Sequence, residues 1–302
     1  MIGNKEQISI NITQYKSIKG TVINGNKEGK TLVVTAGVHG CEYVGIQAVR
    51  EIINEIDEKD ISGRIIFIPV VNESGFYNGL KQIVAEDGKN LNRCFPGDIN
   101  GTMSEKIAYI IEKELYKKAD FILDIHSGDI FETMIPLVFF PVASGKKIEI
   151  ITRQATDRLS ICYKVPSTAS NGLYSYATKC NIPALLLERG SAGKWTRQEV
   201  EECKRNIYEI MDFMGIKKYN IINNPPKEIK KAFYDEASEK GFWYCYKQVG
   251  EKIKEGDILG DLIDYDGNII KRYKSQTNGV VLYLTHILGV NKGEPLIAYG
   301  EI

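Results

Sequence analysis

Two of the three histidines in this 302-residue chain stand where a metal could be held. His39 belongs to Gly37-Val38-His39-Gly40-Cys41-Glu42, between a strand-like run and a helix-like run. An imidazole with a carboxylate three residues on can aim two ligands at one ion. Glu42 falls at the start of the helical run, where the helix dipole favours its ionised form. His126 holds the equivalent place in Leu123-Asp124-Ile125-His126-Ser127-Gly128. Two histidines and a glutamate make a three-ligand zinc set with a position left for water, the pattern of a hydrolytic site. Each residue alone also fits a plainer role. His39 could be a polar loop residue, and Asp124 either a polar strand end or an outer acceptor that orients His126.

A further carboxylate ends the run Leu185-Leu186-Leu187-Glu188-Arg189-Gly190. Beside a metal, Glu188 would serve as general base for water. The alternative is an ion pair with Arg189, and the residues themselves do not choose. Asn92 and Arg93 lie on a loop shaped by Pro96 and Gly97. There Arg93 could hold a substrate carboxylate through two parallel hydrogen bonds, with Asn92 adding a third. Lys81 is a comparable loop cation. An ordinary solvated role fits Arg93 and Lys81 equally well.

These residues need a scaffold. Apolar strand patterns at 31–37, 64–71, 120–125, 137–140 and 183–187 alternate with helical patterns at 43–56, 103–116, 146–160 and 197–214. Apolar strands alternating with amphipathic helices predict an α/β fold, a mainly parallel sheet with helices on both faces. Ligands then gather at the C-terminal ends of the strands, where His39, His126 and Glu188 fall. Residues 7–23 read as an antiparallel edge hairpin. The cluster Asn223-Asn224-Pro225-Pro226 reads as a linker, dividing a catalytic part, 1–222, from a β part, 227–302. In the latter, Ile253-x-x-Gly256-Asp257-x-Leu259 recurs as Val290-x-x-Gly293-Glu294-x-Leu296, as two related hairpins of a small all-β domain would require.

Composition excludes several roles. Lys and Arg total 39 and Asp and Glu total 39, with no basic cluster for a phosphate backbone, so no nucleic-acid partner is expected. The N-terminal residues carry no signal-like apolar segment, and no run is long enough to span a bilayer, so no membrane role is expected. Six scattered cysteines without C-x-x-C spacing fit a reducing cytoplasm.

Taken in order, G-V-H-G-x-E, then D-G-x-N-L-N-R-x-F-P-G, D-I-H-S-G and a strand ending in E-x-G, the chain resembles the succinylglutamate desuccinylase and aspartoacylase family over nearly its whole length. The resemblance implies a zinc carboxypeptidase-like fold and one zinc ion per chain on His39, Glu42 and His126. It implies Glu188 as the base that activates water and protonates the leaving amine, and Asn92 and Arg93 as holders of a substrate carboxylate. The reaction would be hydrolysis of the amide bond of a small N-acyl amino acid. A zinc carboxypeptidase acting on peptides or cell-wall fragments is the alternative, and a non-catalytic metal-binding module a weaker one.

Two departures stand out. Lys81 occupies the region where the family carries an oxyanion arginine. Asn90 replaces the aspartate of D-L-N-R, which by removing a carboxylate is expected to favour a more anionic substrate. The β part resembles the barrel-sandwich hybrid fold of biotinyl and lipoyl modules, but the turn Gln276–Gly279 has no lysine, so a carrier role is not expected. Its expected work is to narrow the cleft or mediate homo-oligomers. Tyr244 and Tyr283 are candidates to reach the substrate, and His286 is expected to be structural.

Overall fold

A computed structural model describes residues 3–220 and 224–302. Asn223, the first residue of the expected linker, and residue 222, the expected end of the catalytic part, lie outside the described residues. The first part contains strands β1 (Asn4–Asn11), β2 (Ser17–Asn24), β3 (Lys27–Ala36), β4 (Ser62–Ile68), β5 (Phe121–His126), β6 (Glu132–Met134), β7 (Leu137–Pro141), β8 (Tyr163–Ser167) and β9 (Ala184–Glu188). Its helices are α1 (Tyr43–Glu55), α2 (Glu73–Tyr77), α3 (Met103–Glu114), α4 (Lys146–Thr156), α5 (Leu173–Lys179) and α6 (Arg197–Met214). The next strand is β10 (Lys227–Glu228).

Nine of these strands form one sheet in the order β1-β2-β4-β3-β5-β9-β7-β8-β10. Its centre, β4-β3-β5-β9, is parallel. The expected hairpin is there: β1 and β2 pair antiparallel and add to the edge at β4. One side departs from the parallel pattern, since β7 runs antiparallel to β9.

Strand alternation decides which side chains meet which helices. Leu32, Val34, Phe121, Leu123, Ile125, Leu185 and Leu187 pack on one face, with α1, α4 and α6. Val33, Ile122, Ala184 and Leu186 pack on the other, with α3 and α5. Continuing that second series along β5 and β9 brings Asp124, His126 and Glu188 to the α3/α5 face. Burial on both sides is why these strands read as unbroken apolar runs.

After β10 the chain forms β11 (Lys231–Glu236), β12 (Gly241–Cys245), β13 (Lys252–Ile253), β14 (Ile258–Ile263), β15 (Ile269–Lys274), β16 (Gly279–Thr285), β17 (Gly289–Val290) and β18 (Pro295–Glu301). They make two antiparallel sheets, β11-β18-β16-β13 and β15-β14-β12-β17. The sequence repeat is structural. Ile253 and Val290 are buried, as are Leu259 and Leu296. Gly256 and Gly293 both have positive φ, 86° and 82°. Asp257 and Glu294 accept from the backbone N–H of Lys254 and Asn291, each three residues back. Each copy carries the chain from one sheet to the other.

The two parts exchange strands. β10 joins the large sheet through β8, and β6 pairs with β16 of the small one. Among the described residues, no helix is long and apolar enough to cross a membrane. Leu187 is fully buried on β9 one residue before Glu188. Leu187→Ala is expected to cost about 2–5 kcal/mol of unfolding free energy. Urea denaturation measures it, and a loss under about 1 kcal/mol would be inconsistent with the packing of this strand.

Candidate metal centre

The β3–α1 loop is shaped to turn His39 and Glu42 inwards. Gly37 takes φ +65°, and Gly40 lies so close to Gly75 that an added Cβ would stand 2.1 Å from that residue's carbonyl carbon. Glu42 occupies the N-cap of α1 yet caps nothing with its side chain. Instead its carboxylate is buried between two imidazoles: Oε1 is 2.7 Å from His39 Nδ1, and Oε2 is 2.9 Å from His126 Nδ1. Oε2 also accepts the Ser127 backbone N–H at 3.1 Å.

The outer nitrogen of each ring is fixed as well. Asn90 Oδ1 accepts the Asn92 backbone N–H at 2.9 Å, which sets the amide's orientation. The same oxygen lies 3.1 Å from His39 Nε2, so that nitrogen carries the proton and donates. For His126 the acceptor is Asp124, with Oδ2 3.2 Å from Nε2. Asp124 is itself held by Thr35 Oγ1 at 2.7 Å, across the pair in which Thr35 and Asp124 are register partners. Both rings therefore present Nδ1 to Glu42.

The electrostatics follow from burial. Desolvation opposes ionisation of Glu42, but His39 and His126 outweigh it and hold the carboxyl at about 2. Desolvation also opposes charge on His126, yet Glu42 and Asp124 raise it well above the ordinary imidazole range.

A divalent cation fits this donor set. The His39, Glu42 and His126 ligand atoms lie within 4.8 Å of one another. Ligands of a tetrahedral zinc ion, at the usual metal–donor distances, stand roughly 3.3 Å apart. A cation there would supply the positive charge that the buried Glu42 carboxylate needs.

Glu188 is the register partner of His126 on the neighbouring strand and shares its face. Its Oε2 is buried with no hydrogen-bond partner among the described residues. Burial pushes its pKa up to about 8; Glu42, Asp124 and Asp129 add to the rise and His126 opposes it. The pairing with Arg189 is not formed. Alternation sends Arg189 to the opposite face, where it donates to Asn206 Oδ1 at 2.9 Å and Glu199 Oε2 at 3.1 Å.

The remaining candidates divide. Arg93 is exposed, donates to the Asn92 carbonyl at 2.8 Å, and meets no carboxylate among the described residues. Asn92 is buried, and its Oδ1 accepts the first N–H of α5, from Leu173, at 2.9 Å. That oxygen holds the start of the helix and so fixes the orientation of the side-chain amide. Lys81 is engaged by Asp129, 3.2 Å away, and sits 5.3 Å from the Phe131 ring centre. Asn90, which stands in place of that aspartate, turns its amide to His39 and Gln82.

Sequence reasoning missed Asn90 as the partner of His39. It also missed Asp129 and Glu132, which follow His126 too closely to show any periodic signal. Of the two tyrosines, Tyr244 is exposed on the four-stranded sheet. Tyr283 lies at the β16–β6 junction, close enough to Glu132, Glu188 and Arg93 for their charges to act on it. Its neighbour Tyr234 has its ring centre 6.3 Å away. His286 is exposed and helps join the two parts: its backbone N–H donates to the Phe131 carbonyl at 2.9 Å.

Zinc affinity is expected to depend on both outer acceptors. Asp124→Ala and Asn90→Ala should each weaken it by roughly 10- to 100-fold in chelator competition. Wild-type affinity in either variant would deny that residue its orienting role.

Comparison with known proteins places this geometry in context. A family model described as Succinylglutamate desuccinylase/Aspartoacylase catalytic domain matches residues 28–214. The N-alpha-acetyl-L-2,4-diaminobutyric acid deacetylase of Halomonas elongata is 24% identical over 285 residues, covering 91% of this chain and 83% of that one. The product-bound structure of the ectoine utilization protein EutE (DoeB) from Ruegeria pomeroyi superposes with a TM-score of 0.87 at 24% identity, covering 95% of this chain and 90% of that one. A succinylglutamate desuccinylase/aspartoacylase structure from Rhodobacter sphaeroides gives a TM-score of 0.87 at 22% identity, covering 99% and 96%.

Proposed function

The chain belongs to the succinylglutamate desuccinylase/aspartoacylase family, and we propose that it is a zinc-dependent hydrolase that cleaves the amide bond of a small N-acyl amino acid. The observation that carries this reading is the pairing of three convergent ligand atoms with the uncommitted Glu188 carboxyl on the same sheet face. The Halomonas relative, a deacetylase by name, supports the reaction type.

His39, Glu42 and His126 would hold one zinc ion per chain. Zinc would supply a Lewis acid that polarises the scissile carbonyl and acidifies water. The chain's own residues do the rest. Asp124 and Asn90 keep the two Nε2–H groups occupied, so each Nδ1 lone pair faces the ion. Glu188 takes a proton from the attacking water as its oxygen bonds to the carbonyl carbon. It returns that proton to the nitrogen as the C–N bond breaks, leaving a carboxylate and a free amine. A carboxyl poised near the operating pH suits both halves of this transfer. Arg93, which meets no carboxylate among the described residues, binds the carboxylate of the substrate, with Asn92 adding to its hold. Lys81 acts on developing oxyanion charge only as far as Asp129 shares it.

Residues 1–222 form the catalytic part in this reading, and 227–302 a β part that bounds the cleft. Tyr283, at the β16–β6 junction, would narrow the cleft in this reading and so favour a small substrate over a peptide.

A screen of N-acyl amino acids and short peptides with zinc-loaded protein tests the proposal, with hydrolysis of at least one N-acyl amino acid expected. Glu188→Gln should retain zinc and lower turnover by roughly 10²- to 10⁴-fold. Full turnover in that variant would remove Glu188 as the base.

A further inference from the structure

We propose that Arg189 is a positioning residue for Glu188: its buried guanidinium ties the end of β9 to α6 and so fixes where the neighbouring carboxyl points. This rests on the reading of Glu188 as the base. Glu188 Oε2 has no hydrogen-bond partner among the described residues, so no contact of its own anchors that oxygen. Glu188 is also the last residue of β9, and the chain turns away at once. Gly190 takes φ +107°, and an added Cβ there would stand 2.6 Å from Val44 Cγ2. The placement of the carboxyl therefore falls to the backbone at 188–189.

That backbone is held in two directions. Within the sheet, the Arg189 N–H donates to the His126 carbonyl at 3.0 Å, and the Gly128 N–H to the Gly190 carbonyl at 3.1 Å. Behind the sheet, the buried Arg189 side chain spreads its fork over α6. Nε reaches Asn206 Oδ1 and Nη1 reaches Glu199 Oε2, while Nη2 lies 3.8 Å from Glu202 Oε2. The acceptors are anchored in turn. Asn206 Nδ2 donates to Glu209 Oε2 at 2.9 Å, and that oxygen also accepts the Ser160 backbone N–H at 2.9 Å, from the loop after α4. Asn206 and Glu209 are both fully buried.

Packing alone does not call for an arginine here. Leu185 and Leu187, earlier on the same face, are apolar and pack with α1, α4 and α6. An apolar side chain at 189 would continue that series, and a buried ionic group adds little stability over an apolar one of similar volume. What the arginine adds is geometry. An apolar contact tolerates sliding and small rotations, whereas a planar fork with acceptors in different directions admits one setting. Without it, rotation of the strand end would swing Glu188, on the opposite face, away from its register partner His126. A displacement of about 1 Å in a reacting group can cost ~100-fold in rate.

The test measures kcat, KM and zinc content for zinc-loaded wild type, Arg189→Met and Arg189→Lys, on the N-acyl amino acid that wild type cleaves best. Thermal unfolding of each variant checks that the fold is intact. Arg189→Met should lower kcat by roughly 10- to 100-fold with KM and zinc content unchanged. Arg189→Lys, a point charge without the fork, should recover only part of the loss. In a Glu188→Gln background, Arg189→Met should cost little more, because Arg189 acts through Glu188. Should Arg189→Met fail to fold, Glu199→Gln takes its place in both backgrounds, since the Glu199 side chain is part-exposed and the change slackens one arm of the fork. Wild-type kcat, a loss carried by KM or by zinc content, or a full further loss in the Glu188→Gln background overturns the proposal. If wild type cleaves no N-acyl amino acid, or Glu188→Gln keeps full turnover, the reading of Glu188 as base falls. Crystal structures of wild type and the variant then decide the positioning alone. A Glu188 carboxyl displaced from beside His126 sustains it, and one that keeps its place overturns it.

Discussion

A buried carboxylate between two imidazoles is the constraint on which this molecule turns. Glu42 is almost wholly removed from solvent and ionised. A buried carboxylate without a counterion is costly enough that it ordinarily takes up a proton. Here His39 and His126 flank it, and each ring is anchored in turn by its own acceptor. Removing any member leaves the others buried and unpaired, so the site holds together as a unit. A metal ion suits the same geometry because it concentrates at one point the positive charge the carboxylate demands.

The fold supplies this constraint by simple means. Parallel neighbours β3, β5 and β9 end on the same edge, and alternation sends Asp124, His126 and Glu188 to a single face. The loop after β3 reaches that edge and delivers His39 and Glu42 from the next element. The opposite face of the same strands is apolar and packed by α1, α4 and α6. Catalytic candidates and core residues thus alternate along each strand, and a shift of one residue in register would exchange them.

Much of this was legible in the sequence. The alternation of strands and helices was strong because both faces of the sheet are buried, and 197–214 matches α6 to the residue. The short elements α2, α5, β6 and β8 escaped notice, since three to seven residues hold too little periodicity to register. Half of the sheet's departure from parallel order also left no mark, because strand direction follows from connections and not from composition. At the site, His39, Glu42, His126 and Glu188 were visible as polar residues ending apolar runs. Asn90 and Asp129 were not, because their significance comes from distant partners: His39 is 51 residues from Asn90, and Asp129 pairs with Lys81 of another loop. Asn92 carries a further role that its loop position did not signal, in that its oxygen accepts the first N–H of α5.

The catalytic roles proposed for this chain all depend on one zinc ion held by His39, Glu42 and His126. Anomalous diffraction at the zinc edge from crystals of the zinc-loaded protein tests it directly. One peak per chain is expected, about 2.0–2.2 Å from His39 Nδ1, His126 Nδ1 and a Glu42 carboxylate oxygen. A peak elsewhere, ligation through either Nε2, or no peak at saturating zinc would contradict it.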